Sequence, residues 1–174
     1  DQLTIESWAR PFVGALAPRD FLIRCNDVVI GEATTLWLTL DGTSHRPLRT
    51  PPPIVCRPDG ALTLEAAKIP QQKDLPALAT LTVKNSDLDV NGHVNNTHYA
   101  RWILDSLPAA DLARLTAARY EVNFLAETGL GEQVEICGGP GSGDEPDCWQ
   151  FQGTRPDGKT LFVARLTTSH ITET

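Results

Sequence analysis

NSDLDVNGHVNNTHYARWILDSLP, residues 85–108, is the stretch on which the fold turns. Within it, residues 87–98 crowd together two carboxylates (Asp87, Asp89), three asparagines (Asn91, Asn95, Asn96) and two histidines (His93, His98), leading into an apolar run. In that run Tyr99, Trp102, Ile103, Ser106 and Leu107 recur at i, i+3, i+4, i+7 and i+8, the stripe of an amphipathic helix. The spacing predicts a helix over about residues 94–107, and Pro108 stops it because proline cannot continue the backbone ladder. Asn95 or Asn96 is the expected N-cap. Leu104 adds a bulky group on a second side, so the helix asks for cover over most of its surface. A polar loop rich in ionisable groups thus feeds a helix that must be buried, an arrangement costly to organise unless the loop has a use.

Cover is available on both sides of this segment. Upstream, 79–86 (ATLTVKNS) is expected to be a strand with Leu81 and Val83 on one face. Downstream, a short helix or turn near 111–115 precedes a strand at 116–127, with Tyr120, Val122 and Phe124 on one face. Residues 132–138 follow as a strand after Gly129 and Gly131. A hairpin of 148–154 and 159–169 then closes around Pro156-Asp157-Gly158. One helix wrapped by a curved antiparallel sheet is the α+β architecture these elements imply.

The N-terminal part carries strands only. Residues 2–10 alternate, and 19–26 pairs with 28–40 across Asn26-Asp27, with a bulge expected near Gly31 and Glu32. Residues 43–78 are proline-rich and lack sustained periodicity, with at most a short helical turn after residue 61, and read as an extended linker holding the domain boundary. A weak internal repeat links the two hairpins: Phe21, Asp27 and Ala33 mirror Phe151, Asp157 and Ala164. The unit at 1–42 then lacks the helix and first strands that 79–174 possesses. The absence of methionine, even at the first position, agrees with a fragment.

Bulk properties narrow the function. The composition, 41% hydrophobic and 21% charged, is that of a globular domain. A net charge of −7 argues against a nucleic-acid partner, whose phosphates call for a basic surface. No apolar run is long enough for a membrane span. Cys25, Cys56, Cys137 and Cys148 have no metal-ligand spacing and suit free thiols in a reducing cytoplasm; a Cys137–Cys148 bridge is the less favoured reading.

The chemistry concentrates at Asp89, Asn91 and His93. Alternation at i, i+2 and i+4 puts a carboxylate, an amide and an imidazole on one face if the segment is extended. Histidine exchanges a proton near neutrality, a carboxylate can fix its tautomer, and an amide can orient a water or carbonyl. The helix N-terminus beside them, Val94, Asn95 and Asn96, offers N–H groups for a developing oxyanion. Taken alone, Asp87 reads as a turn residue, Glu127 as a solvated strand-end charge, and His45, His98 and His170 as surface or packing groups. One Asp-x-Asn-x-His run without a second histidine cluster fits no common catalytic zinc site, so no metal is expected.

At this point the residues resemble a family. SDLDVNGHVNNTHYARWILDS is similar to the signature of the acyl-ACP thioesterases of plants and bacteria. Residues 120–134 (YEVNFLAETGLGEQV) and the first hairpin resemble neighbouring parts of the same family. The resemblance implies a tandem hotdog fold, each repeat a curved sheet around a helix. Residues 1–42 would be the last strands of an incomplete first repeat, 43–78 the linker, and 79–174 the complete second repeat. It implies hydrolysis of fatty acyl-acyl carrier protein in fatty acid biosynthesis, with the phosphopantetheine arriving on the substrate and no other cofactor. It places the catalytic groups at Asp89, Asn91, His93 and Glu127, in a bacterial cytoplasmic protein, and leaves room for a homodimer. Plant members often carry a cysteine after the glutamate; Thr128 stands there, so attack by water is expected rather than a cysteine acyl-enzyme. The rivals are a hotdog acyl-CoA thioesterase or dehydratase, and a non-catalytic acyl-binding module.

Overall fold

In the computed structural model, which describes residues 1–44, 46–48, 53–57, 62, 65–112, 118–141 and 147–168, the chain forms two compact units, Asp1–Ala67 and Lys68–Thr174. In the second unit the amphipathic run of the motif forms helix α1 (Asn96–Ser106). Its N-cap is Asn95, whose side chain accepts the Thr97 N–H, and Leu107 is its C-cap just before Pro108. A second, four-residue helix, α2, covers Ala109–Leu112; the rest of the expected 111–115 turn lies outside the described residues.

The N-terminal unit contributes strands β1 (Leu3–Ala9), β2 (Leu16–Cys25) and β3 (Val28–Leu38). The second contributes β4 (Ala77–Thr82), β5 (Ala118–Phe124), β6 (Gln133–Pro140), β7 (Cys148–Thr154) and β8 (Thr160–Thr168). The five strands of the second unit form an antiparallel sheet in the order β4-β6-β7-β8-β5, against which α1 packs in a hotdog arrangement. Tyr99, Trp102 and Ile103 supply the buried stripe of the helix. Val134, Ile136, Phe151, Phe162, Ala164 and Leu166 supply the sheet side of the core. Tyr99 sits among three rings, with centroids 5.1 Å from Trp102, 5.2 Å from Phe124 and 5.0 Å from Phe162. Edge-on ring pairs of this kind add about 0.5–1.5 kcal/mol each beyond their buried area.

Two glycines make room for those rings. Gly138 lies opposite Phe151 and Gly153 opposite Phe162 in the strand register, and a Cβ at either would run into the facing ring. The sheet therefore accepts large aromatics on its inner face because their cross-strand neighbours have no side chain.

Two expectations need correcting here. Leu104 is 40% exposed, so the sheet covers one stripe of α1 and not most of its circumference. The strand upstream of the motif ends at Thr82, because Asn85–Asp87 coils into a short 3₁₀ turn instead of staying extended. Residues 65–78 form no helical turn, while 61, 63 and 64 of the expected stretch lie outside the described residues. All four cysteines are free. No described helix is long and apolar enough to cross a membrane.

The first unit is an antiparallel sheet in the order β1-β2-β3. Asn26 and Asp27 both take positive φ, 47° and 67°, the pair of left-handed residues that a two-residue hairpin turn of right-handed twist requires. Ile23 faces Gly31 while Arg24 faces Val29, so Ile30 is an extra residue and the expected bulge sits one position earlier. Within the proline-rich stretch, Cys56 bridges to Ala9 beside β1 and the Arg57 N–H donates to the Ala9 carbonyl, so that part is attached to the sheet and not free.

Candidate active site

The motif loop is built by its own backbone. Leu88 bridges Val94, the Asp89 N–H donates to the His93 carbonyl at 2.8 Å, and the Gly92 N–H returns to the Asp89 carbonyl at 3.1 Å. Gly92 takes φ +78°, a conformation side-chain-bearing residues rarely adopt. Asp89, Asn91 and His93 thus share a tight turn, and the extended segment read from their alternation does not form. What gathers them is hydrogen bonding to one carboxylate. Asp89 Oδ1 accepts the N–H of Asn91 at 2.8 Å and of His93 at 3.3 Å, and its Oδ2 accepts Asn91 Nδ2 at 3.4 Å. The Asn91 N–H is the largest cause holding the Asp89 carboxyl below the ordinary aspartate value, with the His93 N–H and the Asn91 amide adding to it against a smaller opposing effect of burial.

Glu127 arrives from the segment after β5. The His93–Gly129 bridge and a 2.9 Å bond from the Val94 N–H to the Thr128 carbonyl lay that segment beside the motif loop. Glu127 Oε2 then stands 3.5 Å from His93 Nε2, with the two side chains 68% and 47% exposed. The structure therefore brings together all four groups that the sequence singled out, in a solvent-open position on two joined loops.

The helix N-terminus is narrower as a donor site than its sequence suggests. The Val94 N–H is used by Thr128, and the Asn95 N–H donates to the Asp87 carbonyl at 2.9 Å. Asn95 spends its side chain on the Thr97 N–H and hydroxyl. Among the described residues, the Asn96 N–H is the one of the three that records no partner.

Sequence reasoning missed the supports beneath this site. Asp87 is buried: its carboxylate accepts the Lys84 N–H at 2.8 Å and lies 3.2 Å from His98 Nδ1 and 3.5 Å from Arg101 Nη2. His98 Nδ1 approaches the carboxylate without the alignment of a hydrogen bond. Asp87 is therefore a strut between the loop and α1, with His98 packed beside it. The signal was present in the three-residue spacing of His98 and Arg101, which places them on one helical face. His45 and His170 lie outside the described residues. On the other side, Glu132 accepts the Gly129 N–H at 3.2 Å and Arg155 Nη1 at 3.0 Å. Thr128, wholly buried, accepts the Tyr99 hydroxyl at 3.3 Å. Burial pushes the Tyr99 phenol up, helped by the charges of Glu132 and Glu127, while the bond to Thr128 opposes the shift. Among the described residues no cluster of three or more His, Cys, Asp or Glu is placed to hold a metal ion.

Known proteins resemble this chain over the same regions. The chain is 28% identical over 141 residues to a chloroplastic palmitoyl-acyl carrier protein thioesterase of Arabidopsis thaliana, an alignment that takes in 74% of this chain and 34% of that protein. It is 27% identical over 181 residues to a chloroplastic oleoyl-acyl carrier protein thioesterase of Coriandrum sativum, covering 95% of this chain and 49% of that one. The chain thus spans between about a third and a half of the length of these plant relatives. An acyl-ACP thioesterase from Bacteroides thetaiotaomicron superposes with a TM-score of 0.83 at 21% identity, over 96% of this chain and 68% of that one, and shares the fold. The acyl-ACP thioesterase C-terminal domain matches residues 71–162, more than half of the sequence and the whole of the loop, helix and Glu127 segment, and the chain belongs to the acyl-ACP thioesterase family.

Proposed function

We propose that the protein hydrolyses the thioester of a fatty acyl-acyl carrier protein, releasing free fatty acid and carrier protein in fatty acid biosynthesis in a bacterial cytoplasm. In this reading residues 1–42 end a first hotdog repeat and 79–174 are the second, which carries the site. The observation that carries the proposal is the 3.5 Å approach of His93 Nε2 to Glu127 Oε2, made by two segments that backbone bonds hold together. It supplies a proton-handling pair at a position open to a large substrate.

Water attacks the carbonyl carbon of the thioester, and Glu127 with His93 takes up its proton. The Asn91 amide orients the water or the carbonyl, while Asp89 braces Asn91 and His93 through the three bonds described. The tetrahedral oxyanion faces the Asn96 N–H at the start of α1, where the helix dipole also favours negative charge. As the C–S bond breaks, the proton held by the pair passes to the phosphopantetheine sulfur. The serial use of a water and a leaving thiol requires no acyl-enzyme, in keeping with Thr128 in the place of a cysteine.

The test is the hydrolysis of acyl-ACP and acyl-CoA by the full-length protein and by Glu127→Gln and His93→Ala. Each variant is expected to lose about 10²- to 10⁴-fold in kcat on the acyl-ACP substrate, the usual weight of a positioned acid or base. Wild-type rates in both variants would refute the site. A faster reaction on acyl-CoA than on acyl-ACP would refute the carrier.

A further inference from the structure

We propose that Thr128 is a positioning residue, its buried hydroxyl bound to Tyr99 so that the backbone beside it aims Glu127 at His93. The inference rests on the thioesterase reading of the site. Thr128 is 1% exposed beside Tyr99, a member of the apolar core cluster, where a valine of the same shape would fill the space. Its hydroxyl instead accepts a 3.3 Å bond from Tyr99, a residue that three neighbouring rings hold still. The Thr128 carbonyl accepts the Val94 N–H, and the next residue, Gly129, bridges His93 and donates to Glu132, which Arg155 holds in turn. Side chain and main chain at 128–129 are therefore fixed on every side.

Glu127 is the opposite case. Its side chain is 68% exposed, and His93 is its one recorded polar contact among the described residues. A long, exposed carboxylate has no local packing to direct it, so its aim depends on where its Cα points. Glu127 is exposed and Thr128 beside it is buried, so the two side chains leave the backbone on different sides. Holding Thr128 inward thus holds Glu127 outward toward His93. Loss of the hydroxyl bond frees the segment to rotate, and the carboxylate swings away from the imidazole.

The prediction separates positioning from general structural support. In the full-length protein, Thr128→Val is expected to lower kcat on acyl-ACP by about tenfold to a hundredfold, the scale of a small misplacement of a reacting group, with KM within about twofold. Thr128→Ser, which restores the hydroxyl, is expected to recover most of the rate. Tyr99→Phe, which leaves Thr128 in place, should reproduce the loss, and the double variant should be no slower than either single one. A second readout needs no turnover: the His93 ring ¹⁵N resonances, which respond to Glu127→Gln in the wild-type background, should cease to respond in the Thr128→Val background. Should Thr128→Val fail to fold, Tyr99→Phe carries the same kinetic and NMR expectations. A kcat unchanged in the folded variants, or a His93 response that survives loss of the hydroxyl bond, overturns the proposal. If wild-type protein hydrolyses no acyl thioester while the NMR response behaves as stated, the positioning role stands and the functional reading falls.

Discussion

In hairpin β2–β3, Phe21 faces Ala33 across the strands; in hairpin β7–β8, Phe151 faces Ala164. Both hairpins carry one extra residue near the start of their second strand, Ile30 in the first and Leu161 in the second. Beside each bulge, a glycine stands opposite a bulky side chain: Gly31 faces Ile23, and Gly153 faces Phe162. The backbone plan is the same, and the fate of the side chains is not. Leu161 and Phe151 are buried in the core cluster that includes Tyr99, Trp102 and Ile103 of α1, whereas Ile30 is exposed and Phe21 only half-buried. On β1, Leu3 and Ile5 are also exposed, Ile5 by 67%. Strand sequence and pairing set up a hairpin equally well in both units. Whether its apolar residues contribute to stability depends on what lies over the sheet.

The comparison breaks most readily at the paired phenylalanines. Phe151→Ala is expected to cost about 3–5 kcal/mol, the range for truncating a fully buried aromatic. Phe21→Ala should cost about 1 kcal/mol, since much less of that ring leaves water on folding. Urea denaturation of the chain with each variant checks this, and equal losses would mean that the two sheets are equally covered. The glycines sharpen the point. Gly153→Ala is expected to destabilise by about 1–3 kcal/mol, because the Phe162 ring facing it is buried and cannot retreat. Gly31→Ala should be tolerated to within about 1 kcal/mol, since a Cβ there meets Ile23 Cδ1 at 3.6 Å, an ordinary contact.

The smallest effect separates turn building from catalysis. Asp41 in the first unit and Asp89 in the second are both half-buried carboxylates held below the ordinary aspartate value of 3.8, each first of all by a backbone N–H two or three residues on, from Ser44 and Asn91 respectively. Asp41 belongs to no candidate site, so a lowered value at Asp89 is the mark of a turn and not of catalytic tuning. For a carboxyl depressed in the folded state, the stabilisation is complete above its ordinary value and is lost as pH falls through the lowered one. NMR titration is expected to show both carboxyls titrating below 3.8, with both turns loosening on the acid side of that value. An ordinary value at Asp89 would mean that the turn is not closed in solution.

The parts legible in the sequence were those written in local pattern. Helix α1 follows from the spacing of Tyr99, Trp102 and Ile103, its start from Asn95, and the first hairpin from Asn26-Asp27 between two strands. The identity of the loop residues was legible too, but their arrangement was not. Asp89, Asn91 and His93 alternate as in a strand, and only the positive φ of Gly92 reveals that hydrogen bonds to Asp89 curl them into a turn. Contacts between distant segments leave still less trace. On residues alone Glu127 is an unremarkable strand-end charge, and it gained a role only through family resemblance. Asp87 looked like a turn residue because nothing local shows His98 and Arg101 folding back over it. Thr128 drew attention for the cysteine it replaces, while its bond to Tyr99 depended on the packing of the whole core.

The closure of residues 88–94 on themselves has a consequence for the order of assembly. A loop this short forms its internal bonds on a timescale of about 10–100 ns at small entropic cost, before the sheet exists. Glu127 can join it only once β5 has paired with β8 and the Thr128 carbonyl has met Val94, contacts that close far longer stretches of chain. Three of the four candidate groups are thus gathered early, and the proposed His93–Glu127 pair is completed last. A partly folded chain holds a formed motif loop without the carboxylate that the proposed reaction needs.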